Sequence, residues 1–527
     1  MQSNKKELAK LNNLINSLNK SGYLAWTKKL QKEFPESELY LVGGAVRDSL
    51  LGINIKDIKD LDFVVRHVSI SKLENFLSTL GWIEKLGKTF GVLKFKQNKF
   101  SKQAGFEPFD IALPRSEFSI ATGGYKDFTV KFDKDLSIKD DLLRRDFTIN
   151  AIALKIYPNL ELIDPFNGIY DLKNKKINCV GKPQERLTED YTRIMRAVRF
   201  ACQLNFEIDP KTISAIKKIT PHLNDKKENN DWISPREVIA KEFLKSFLHN
   251  PLLAIELFDK LNIFKILAPQ ILKMKKCEQP AEFHSEGDVW QHTLLALQNL
   301  NSKKYLSFNK KLSQFFDLEK IDNKKSYLEL IIALFLHDIG KPYTIQKPTK
   351  QNGLDRLRFN NHDTEGAKIA EQICKNLALS SPDKFGINCQ NVSWLIQKHM
   401  MLLHGNPSEF RPTTIEKNFF SEKYPGINLI RLAFLDSLAT IPKTGKLEKD
   451  LIGSLLKRIK EMQSLITKKQ FEKTLPQEFL TGAEIMQIKK IKAGPQIGQL
   501  KNELRELQLS GNIKTKQQAI QYLKSGK

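Results

Sequence analysis

Leu39-Tyr-Leu-Val-Gly-Gly-Ala-Val-Arg-Asp-Ser-Leu-Leu-Gly52 joins a short β-rich run to a helical segment through a pair of glycines. Leu39–Val42 reads as a strand and Ala45–Leu51 as a helix. A strand that ends in Gly43-Gly44 and opens a helix lets backbone N–H groups approach an anion, and Arg47 lies one turn in, within reach of it. A tight turn explains two glycines equally well, so the flanking residues must carry the assignment. Just downstream, Asp60-Leu61-Asp62 enters the apolar run Phe63-Val64-Val65. Strand alternation puts both carboxylates on one face and Leu61 on the other. Two aspartates so placed repel unless a hard cation sits between them, as Mg²⁺-dependent phosphoryl transfer requires. A third acid, Asp110, opens the strand-like run Phe109–Leu113. Three acids can hold two metals, one activating an attacking hydroxyl and one holding a triphosphate.

The strand-like runs Leu61–Val65, Gly91–Phe95 and Phe109–Leu113 predict a mixed α+β unit reaching to about Asp171, where Asp164-Pro-Phe-Asn-Gly168 is a strong turn signal. Ahead of it, Leu8, Leu11, Leu14 and Leu18 recur at helical spacing and predict helix from Lys5 to about Phe34. From Leu187 onward strand signals largely vanish. Arg193–Leu204, Pro235–Phe247, Ile255–Leu267 and Val289–Leu300 carry helical periodicity, and the Lys-rich stretch after Lys446 is helical with a break at Ala493-Gly-Pro495. The fold class is an α+β head followed by a long all-α body.

At 527 residues, three or four domains are expected. With 85 basic against 60 acidic residues, the net charge of +25 points to a polyanionic partner, or else to a solvated Lys-rich surface. The strongly apolar stretch Leu328–Leu336 is interrupted by Glu329 and is too short to cross a bilayer, so no membrane role is expected. Lys5, Lys6 and Lys10 open the chain without an apolar signal core. Cys179, Cys202, Cys277, Cys374 and Cys389 are scattered and odd in number, which reads as reduced thiols and a cytoplasmic setting.

Two further constellations carry chemistry. Asp190, Arg193, Arg196 and Arg199 are three apart and are expected to line one helical face. One acceptor and one fork-shaped donor on that face can pair with the Watson–Crick edge of a base, a template made of protein. The second is a concentration of His and Asp in the body: His292, His337-Asp338, His362-Asp363, His399, His404 and Asp436. An adjacent His-Asp pair on a buried apolar helix is costly unless it binds something.

Taken together, Leu41–Gly52, Asp60-Leu-Asp62, Arg144-Arg-Asp-Phe-Thr-Ile-Asn-Ala151 and Glu189-Asp-Tyr-Thr-Arg-Ile-Met-Arg-Ala-Val-Arg-Phe200 resemble the bacterial class II tRNA nucleotidyltransferases and poly(A) polymerases. The resemblance implies that Asp60 and Asp62 ligate Mg²⁺, with Asp110 as the third carboxylate helping to deprotonate an RNA 3′-hydroxyl. Gly43, Gly44 and Arg47 would meet the triphosphate, Arg145 the incoming nucleotide, and Asp146 and Asn150 its ribose and phosphate region. Asp190 and Arg193 would choose C or A, with Arg196 and Arg199 approaching the nucleotide. The family's spacer between Gly52 and the first metal aspartate is shorter than Ile53–Lys59. Asp57 would occupy the gap-free position, but Ile58-Lys59 follows it, so a small insertion is read and Asp60 and Asp62 are kept.

Leu113-Pro-Arg-Ser-Glu117, Gly123-Gly-Tyr-Lys-Asp-Phe128 and Asp140-Asp-Leu-Leu143 resemble the flexible loop of the proteobacterial CCA-adding subgroup, and Gly87-Lys-Thr-Phe-Gly-Val-Leu-Lys94 resembles the CCA-adding form. CTP and ATP are then the substrates and a tRNA 3′ end the acceptor. A-only or CC-only addition and poly(A) synthesis are the alternatives within the class. His337-Asp338-Ile-Gly-Lys341 after His292 resembles the HD phosphohydrolases. That likeness implies a divalent metal such as Ni²⁺, Mn²⁺ or Mg²⁺ on His292, His337, Asp338 and Asp436, a second site completed by His362 and His399, and Lys341 near a phosphate. Phosphatase or 2′,3′-cyclic phosphodiesterase activity would follow. An HD phosphohydrolase with a merely RNA-binding head is the alternative of another class. Leu480–Met486 through Gly494–Gly498 to Leu523 resembles the family's closing helical module, whose lysines would grip tRNA backbone. The expected organisation is a helical extension over 1–37, a nucleotidyltransferase head over 38–171, a nucleotide-selecting neck over 172–270, an HD body over 271–445 and a basic tail over 446–527, in a monomer or homodimer.

Overall fold

The computed structural model describes residues 2–54, 60–85, 91–98, 108–120, 122–125, 127–349, 354–382, 384–403, 405–444, 451–465 and 474–525. Asp57, His404 and Gly87–Phe90 of the sequence readings lie outside the described residues. The chain divides into two compact units, Met1–Ser246 with Leu257–Ile266, and Phe247–Glu256 with Leu267–Lys527.

The first unit is built on strands β1 (Glu38–Val42), β2 (Asp62–Arg66), β3 (Gly81–Lys85), β4 (Val92–Gln97), β5 (Phe109–Ala112), β6 (Arg115–Ser119), β7 (Phe128–Phe132), β8 (Ala153–Tyr157) and β9 (Glu161–Ile163). Seven of them form one sheet in the order β3-β4-β5-β2-β1-β8-β9, while β6 and β7 pair as a separate hairpin. Only β2 and β5 run parallel within the larger sheet; the other pairs are antiparallel.

Alternation gives this sheet two different faces. Phe63, Phe95 and Phe109 pack with Trp26 of the helix Ala25–Glu33, with ring centroids 5.5 Å (Trp26–Phe63), 5.6 Å (Phe63–Phe109) and 5.5 Å (Phe95–Phe109) apart. Each such side chain contributes roughly 1.5–3 kcal/mol by leaving water. The opposite face carries Val64, Tyr40 and Val42 against Ile138 and Leu142 of the helix Ile138–Leu143. Asp62 and Asp110 belong to that second face. A one-residue slip of β2 would drive Asp62 into the aromatic layer, so the aromatic packing also sets where the carboxylates point.

The helix expected from Lys5 to Phe34 is two helices, Gln2–Lys20 and Ala25–Glu33, separated at Gly22 with φ +82°. Ile255–Leu267 likewise divides into Pro251–Lys260 and Ile263–Leu267, with Asn262 at φ +61°. Past the predicted end of strand structure, Glu207–Ile208 pairs in parallel with Lys176–Ile177.

The second unit is helical. Leu328–Leu336 is buried throughout within the helix Lys324–Leu336, which neighbours the helices Val289–Gln298, Cys389–Lys398 and Gly426–Ala439. Its C-terminal part has an apolar cluster of its own, including Leu480, Ile485, Leu504, Ile513 and Leu523. No described helix is long and apolar enough to cross a membrane.

Candidate active sites

In the first unit, Asp62 and Asp110 are register partners on the parallel strands β2 and β5, and Lys94 of β4 stands opposite Asp110 on its other side. Asp60, exposed, precedes β2. Burial drives the Asp62 carboxyl up to about 6; the charges of Asp110 and Asp60 push the same way against Arg145. Burial raises Asp110 too, with Lys94 opposing and Asp60 reinforcing. Carboxylates that resist ionising together are relieved by a divalent cation, so this donor set of hard oxygens fits Mg²⁺. Gly43 has φ +74° and ψ −135°, and a β-carbon there would lie 3.2 Å from Arg145 Nη1 and 3.3 Å from Asp62 Oδ2. Glycine is therefore what lets the turn press against the acidic face.

A polar chain runs from this turn to the helix Thr192–Leu204. Arg47 Nη1 donates to Asn150 Oδ1 at 2.7 Å, Asn150 Nδ2 to Asp146 Oδ1 at 3.3 Å, and Arg196 Nε to Asp146 Oδ2 at 2.7 Å. Burial would raise the Asp146 carboxyl, but Arg196 and Arg193 overcome it and hold the group well below the usual range. The guanidinium carbons of Arg199, Arg47 and Arg196 lie 3.6, 5.3 and 5.6 Å from the Phe200 ring centroid.

The single helical face expected for Asp190, Arg193, Arg196 and Arg199 is divided. Asp190 stands before the helix in extended conformation, at φ −154° and ψ 106°, because its Oδ1 accepts from the Thr192 N–H at 2.9 Å and hydroxyl at 2.7 Å at the helix start. Arg193 Nη1 donates to Glu189 Oε2 at 2.6 Å and to the Arg186 carbonyl at 2.8 Å, and its Nη2 to the Arg144 carbonyl at 3.3 Å. Arg199 turns elsewhere, donating from Nε to Glu242 Oε2 at 2.5 Å. Sequence reading missed Glu189, Glu242 and Lys94 as parts of this site. Glu189 could have been found from its four-residue spacing to Arg193; Glu242 has no local signal, since it arrives on the distant helix Arg236–His249.

In the second unit, His292, His337, Asp338, His362, His399 and Asp436 are all buried and converge. His292 Nε2 lies 3.0 Å from Asp436 Oδ1 and 3.9 Å from Asp338 Oδ2, and His337 Nε2 3.4 Å from Asp338 Oδ2 and 3.8 Å from Asp436 Oδ1. The other Asp338 oxygen lies 3.6 Å from His362 Nε2 and 3.8 Å from His399 Nε2, which are themselves 3.3 Å apart. Asp338 thus stands between two groups of imidazoles, each close enough to share an ion. Lys341 Nζ is 2.7 Å from Asp338 Oδ2.

The imidazoles are oriented from behind. Nδ1–H of His337, His362 and His399 donates to the carbonyls of Leu334 (2.8 Å), Phe359 (2.7 Å) and Ile396 (2.6 Å), so Nε2 faces the acids. His337 Nε2 is buried without a hydrogen-bond partner. Burial holds His399 down to about 4, aided by the charge of His337, and so keeps its lone pair available. For His292 burial is outweighed by Asp436 and Glu286, which raise it to about 9. Mixed imidazole and carboxylate donors with an orphaned nitrogen suit a divalent transition ion. Glu286, which takes the Nδ1–H of His292 at 2.8 Å, was not anticipated from the sequence.

Comparison with known proteins agrees with both halves. The Poly A polymerase head domain family matches residues 39–178, and the HD domain family matches residues 317–439. The Multifunctional CCA protein of Aliivibrio salmonicida (strain LFI1238) is 28% identical over 390 residues, spanning 72% of this chain and 79% of that protein. Among solved structures, the Bacillus stearothermophilus CCA-adding enzyme in complex with CTP is similar over 96% of each chain, with TM-score 0.60 at 18% identity. The Thermotoga maritima CCA-adding enzyme complexed with tRNA is similar over 94% of this chain and 92% of that one, with TM-score 0.51 at 20% identity. At such identities these structures speak to the fold. The acidic pair and its glycine turn lie within the stretch similar to the Poly A polymerase head domain, and His337, Asp338, His362, His399 and Asp436 lie within the stretch similar to the HD domain.

Proposed function

We propose that the chain adds CCA to tRNA 3′ ends in the cytoplasm, transferring CMP twice and AMP once from CTP and ATP and releasing pyrophosphate. The observation that carries this reading is the register pairing of Asp62 with Asp110 beside Gly43, tied through Asn150 and Asp146 to the arginines of Thr192–Leu204. Asp60, Asp62 and Asp110 would hold Mg²⁺, which supplies charge neutralisation and lowers the pKa of the attacking 3′-hydroxyl. Gly43, Gly44 and Arg47 receive the triphosphate, Arg145 the nucleotide, and Asp146 with Asn150 orients Arg47 and Arg196. Asp190 and Arg193 present an acceptor and a donor to the base. Positioning and electrostatics provide most of the acceleration in this chemistry. The relatives named above, a multifunctional CCA protein among them, support CCA addition over poly(A) synthesis.

The basic tail and the neck would hold the acceptor end of tRNA by shape and phosphate charge, consistent with a net charge of +25. The HD cluster supports a second, hydrolytic activity on phosphate esters at RNA ends, with His292, His337, Asp338 and Asp436 holding one divalent ion, His362 and His399 a second, and Lys341 facing the phosphate. The test incubates protein and Mg²⁺ with tRNA transcripts ending at the discriminator base, at C or at CC, with CTP, ATP or both, and sequences the 3′ ends. Restoration of CCA that stops after one A is expected. Addition of only C or only one A would mean a divided pathway, and long A-tails a poly(A) polymerase.

A further inference from the structure

Four imidazoles face the buried acids of the second unit, and three of them are aimed by a carbonyl three residues earlier in the chain. His292 is the exception. Its Nδ1 meets Glu286 Oε1 at 2.8 Å, and that oxygen also accepts from His284 Nδ1 at 2.6 Å. The His284 ring stands edge-on to that of His292, with centroids 5.2 Å apart. The Glu286 side chain is only 3% exposed, so these are charge-assisted bonds in a poorly solvated place.

Its second oxygen reaches a different part of the site. Glu286 Oε2 accepts the Ile441 N–H at 3.0 Å, just beyond the end of the helix Gly426–Ala439 that carries Asp436. The neighbouring backbone is fastened to the same place. Ser285 N–H and hydroxyl donate to the Ile441 carbonyl at 2.9 and 2.7 Å, and Lys443 N–H donates to the Glu282 carbonyl at 3.0 Å.

We infer that Glu286 is the positioning residue of the HD site, fixing His292 as an Nε2 ligand and holding it in register with Asp436 on another helix. This rests on the reading of His292 and Asp436 as metal ligands. With Nδ1–H committed to a carboxylate, the imidazole has one orientation and one nitrogen left to offer, and the negative charge behind it makes that nitrogen more basic. An ion at Nε2 takes the place of the proton there while Nδ1–H stays on Glu286.

The experiment uses the full-length chain carrying Asp62→Ala and Asp110→Ala, which removes the head's acidic pair. Co²⁺ is titrated in by calorimetry and by its visible absorption, with His337→Ala marking which signal belongs to the HD cluster. Glu286→Gln is expected to weaken this binding roughly 10–100-fold and to change the absorption bands, because the amide can donate to Nδ1 and invert the tautomer. Glu286→Asp, which keeps the charge at shorter reach, is expected to fall between the two, and it carries the test if the Gln variant does not melt cooperatively. Glu286→Gln binding Co²⁺ with the parent's affinity and spectrum would overturn the role of Glu286 alone. Absence of any His337-dependent binding in the parent would overturn the ligand reading, and this role with it.

Discussion

Asp62 and Asp110 stand side by side in register on the parallel strands β2 and β5, and the next pair along, Phe63 and Ile111, points to the opposite face. One face of the sheet is thus committed to aromatic packing, while the other combines the carboxylates with an apolar cluster around Val64 and Leu142. Asp62→Asn or Asp110→Asn should lower nucleotide addition by about 10²–10³-fold, the several kcal/mol expected of lost metal assistance. In chelator the melting temperature should not fall, since the substitution removes a repelling charge. Mg²⁺ at ten times its Kd should stabilise the parent head by about 1.4 kcal/mol and leave the variants unmoved. Calorimetric melting with and without Mg²⁺ reads both effects.

Gly43→Ala tests the turn. The glycine has φ +74°, a conformation that costs a non-glycine residue roughly 1–3 kcal/mol, and the added carbon would meet Arg145 and Asp62. Displacing Arg145 should raise KM for both CTP and ATP. A variant with unchanged KM and normal stability would mean that the turn needs no close approach.

Much of the head was legible because its chemistry lies in short, local motifs. The Gly43-Gly44 turn, the Asp60-Leu-Asp62 entry and the arginine series are each contiguous or evenly spaced. What the sequence hid depends on tertiary partners. β3 carries Trp82 half-exposed and Glu84 outward, so it has no apolar alternation to announce it, and in the hairpin β6–β7 the half-buried Phe128, Val130 and Phe132 of one strand face the polar Ser119, Glu117 and Arg115 of the other. The arginine stripe was read as one face because spacing alone assumes a continuous helix. Asp190 instead stands before the helix, held by Thr192, and Arg199 pairs with Glu242. In the second unit the concentration of His and Asp pointed to residues that the fold brings together, whereas Glu286 lies only six residues before His292 yet meets Ile441 only in the folded chain.

The base-selecting role proposed for Asp190 and Arg193 would divide unequally between them. Asp190 Oδ1 is fastened by two bonds from Thr192, while Arg193 is held from behind by Glu189 and two carbonyls. Asp190→Ala should therefore cost discrimination, with UTP misincorporation rising as CTP and ATP use falls. Arg193→Ala should cost kcat/KM for both correct nucleotides by roughly 10–100-fold, about 1–3 kcal/mol for a lost charged hydrogen bond. Single-nucleotide incorporation with each of the four triphosphates separates the two patterns.

Glu38 offers a pH test remote from either site. It opens β1 and gathers Tyr40 OH at 2.7 Å, Lys155 Nζ at 3.0 Å on β8 and Arg66 on β2. Burial opposes ionisation, but these partners bring its carboxyl from 4.5 down to about 2. A folded value below the unfolded one stabilises the protein above about 4.5, and that stabilisation is lost as the pH falls toward 2. Glu38→Gln should cost about 1 kcal/mol at neutral pH, a modest figure because solvent screens the pairing. The gap between the two melting temperatures should narrow below pH 4.5.

His337→Ala separates the two proposed chemistries. Its Nε2 is buried, lacks a hydrogen-bond partner and lies 3.4 Å from Asp338, whereas its Nδ1 serves only the Leu334 carbonyl. Removing the ring deletes a proposed ion ligand but breaks no other side-chain bond, so the loss should fall on function more than on folding. The variant should lose hydrolysis of a 2′,3′-cyclic phosphate by at least about 10²-fold, the scale of several kcal/mol from a metal-assisted step. Nucleotide addition, which the proposal places on Asp62 and Asp110 in the other unit, should keep its rate. Parallel loss of both activities would mean that the HD cluster serves the head's reaction or its fold, and not a chemistry of its own.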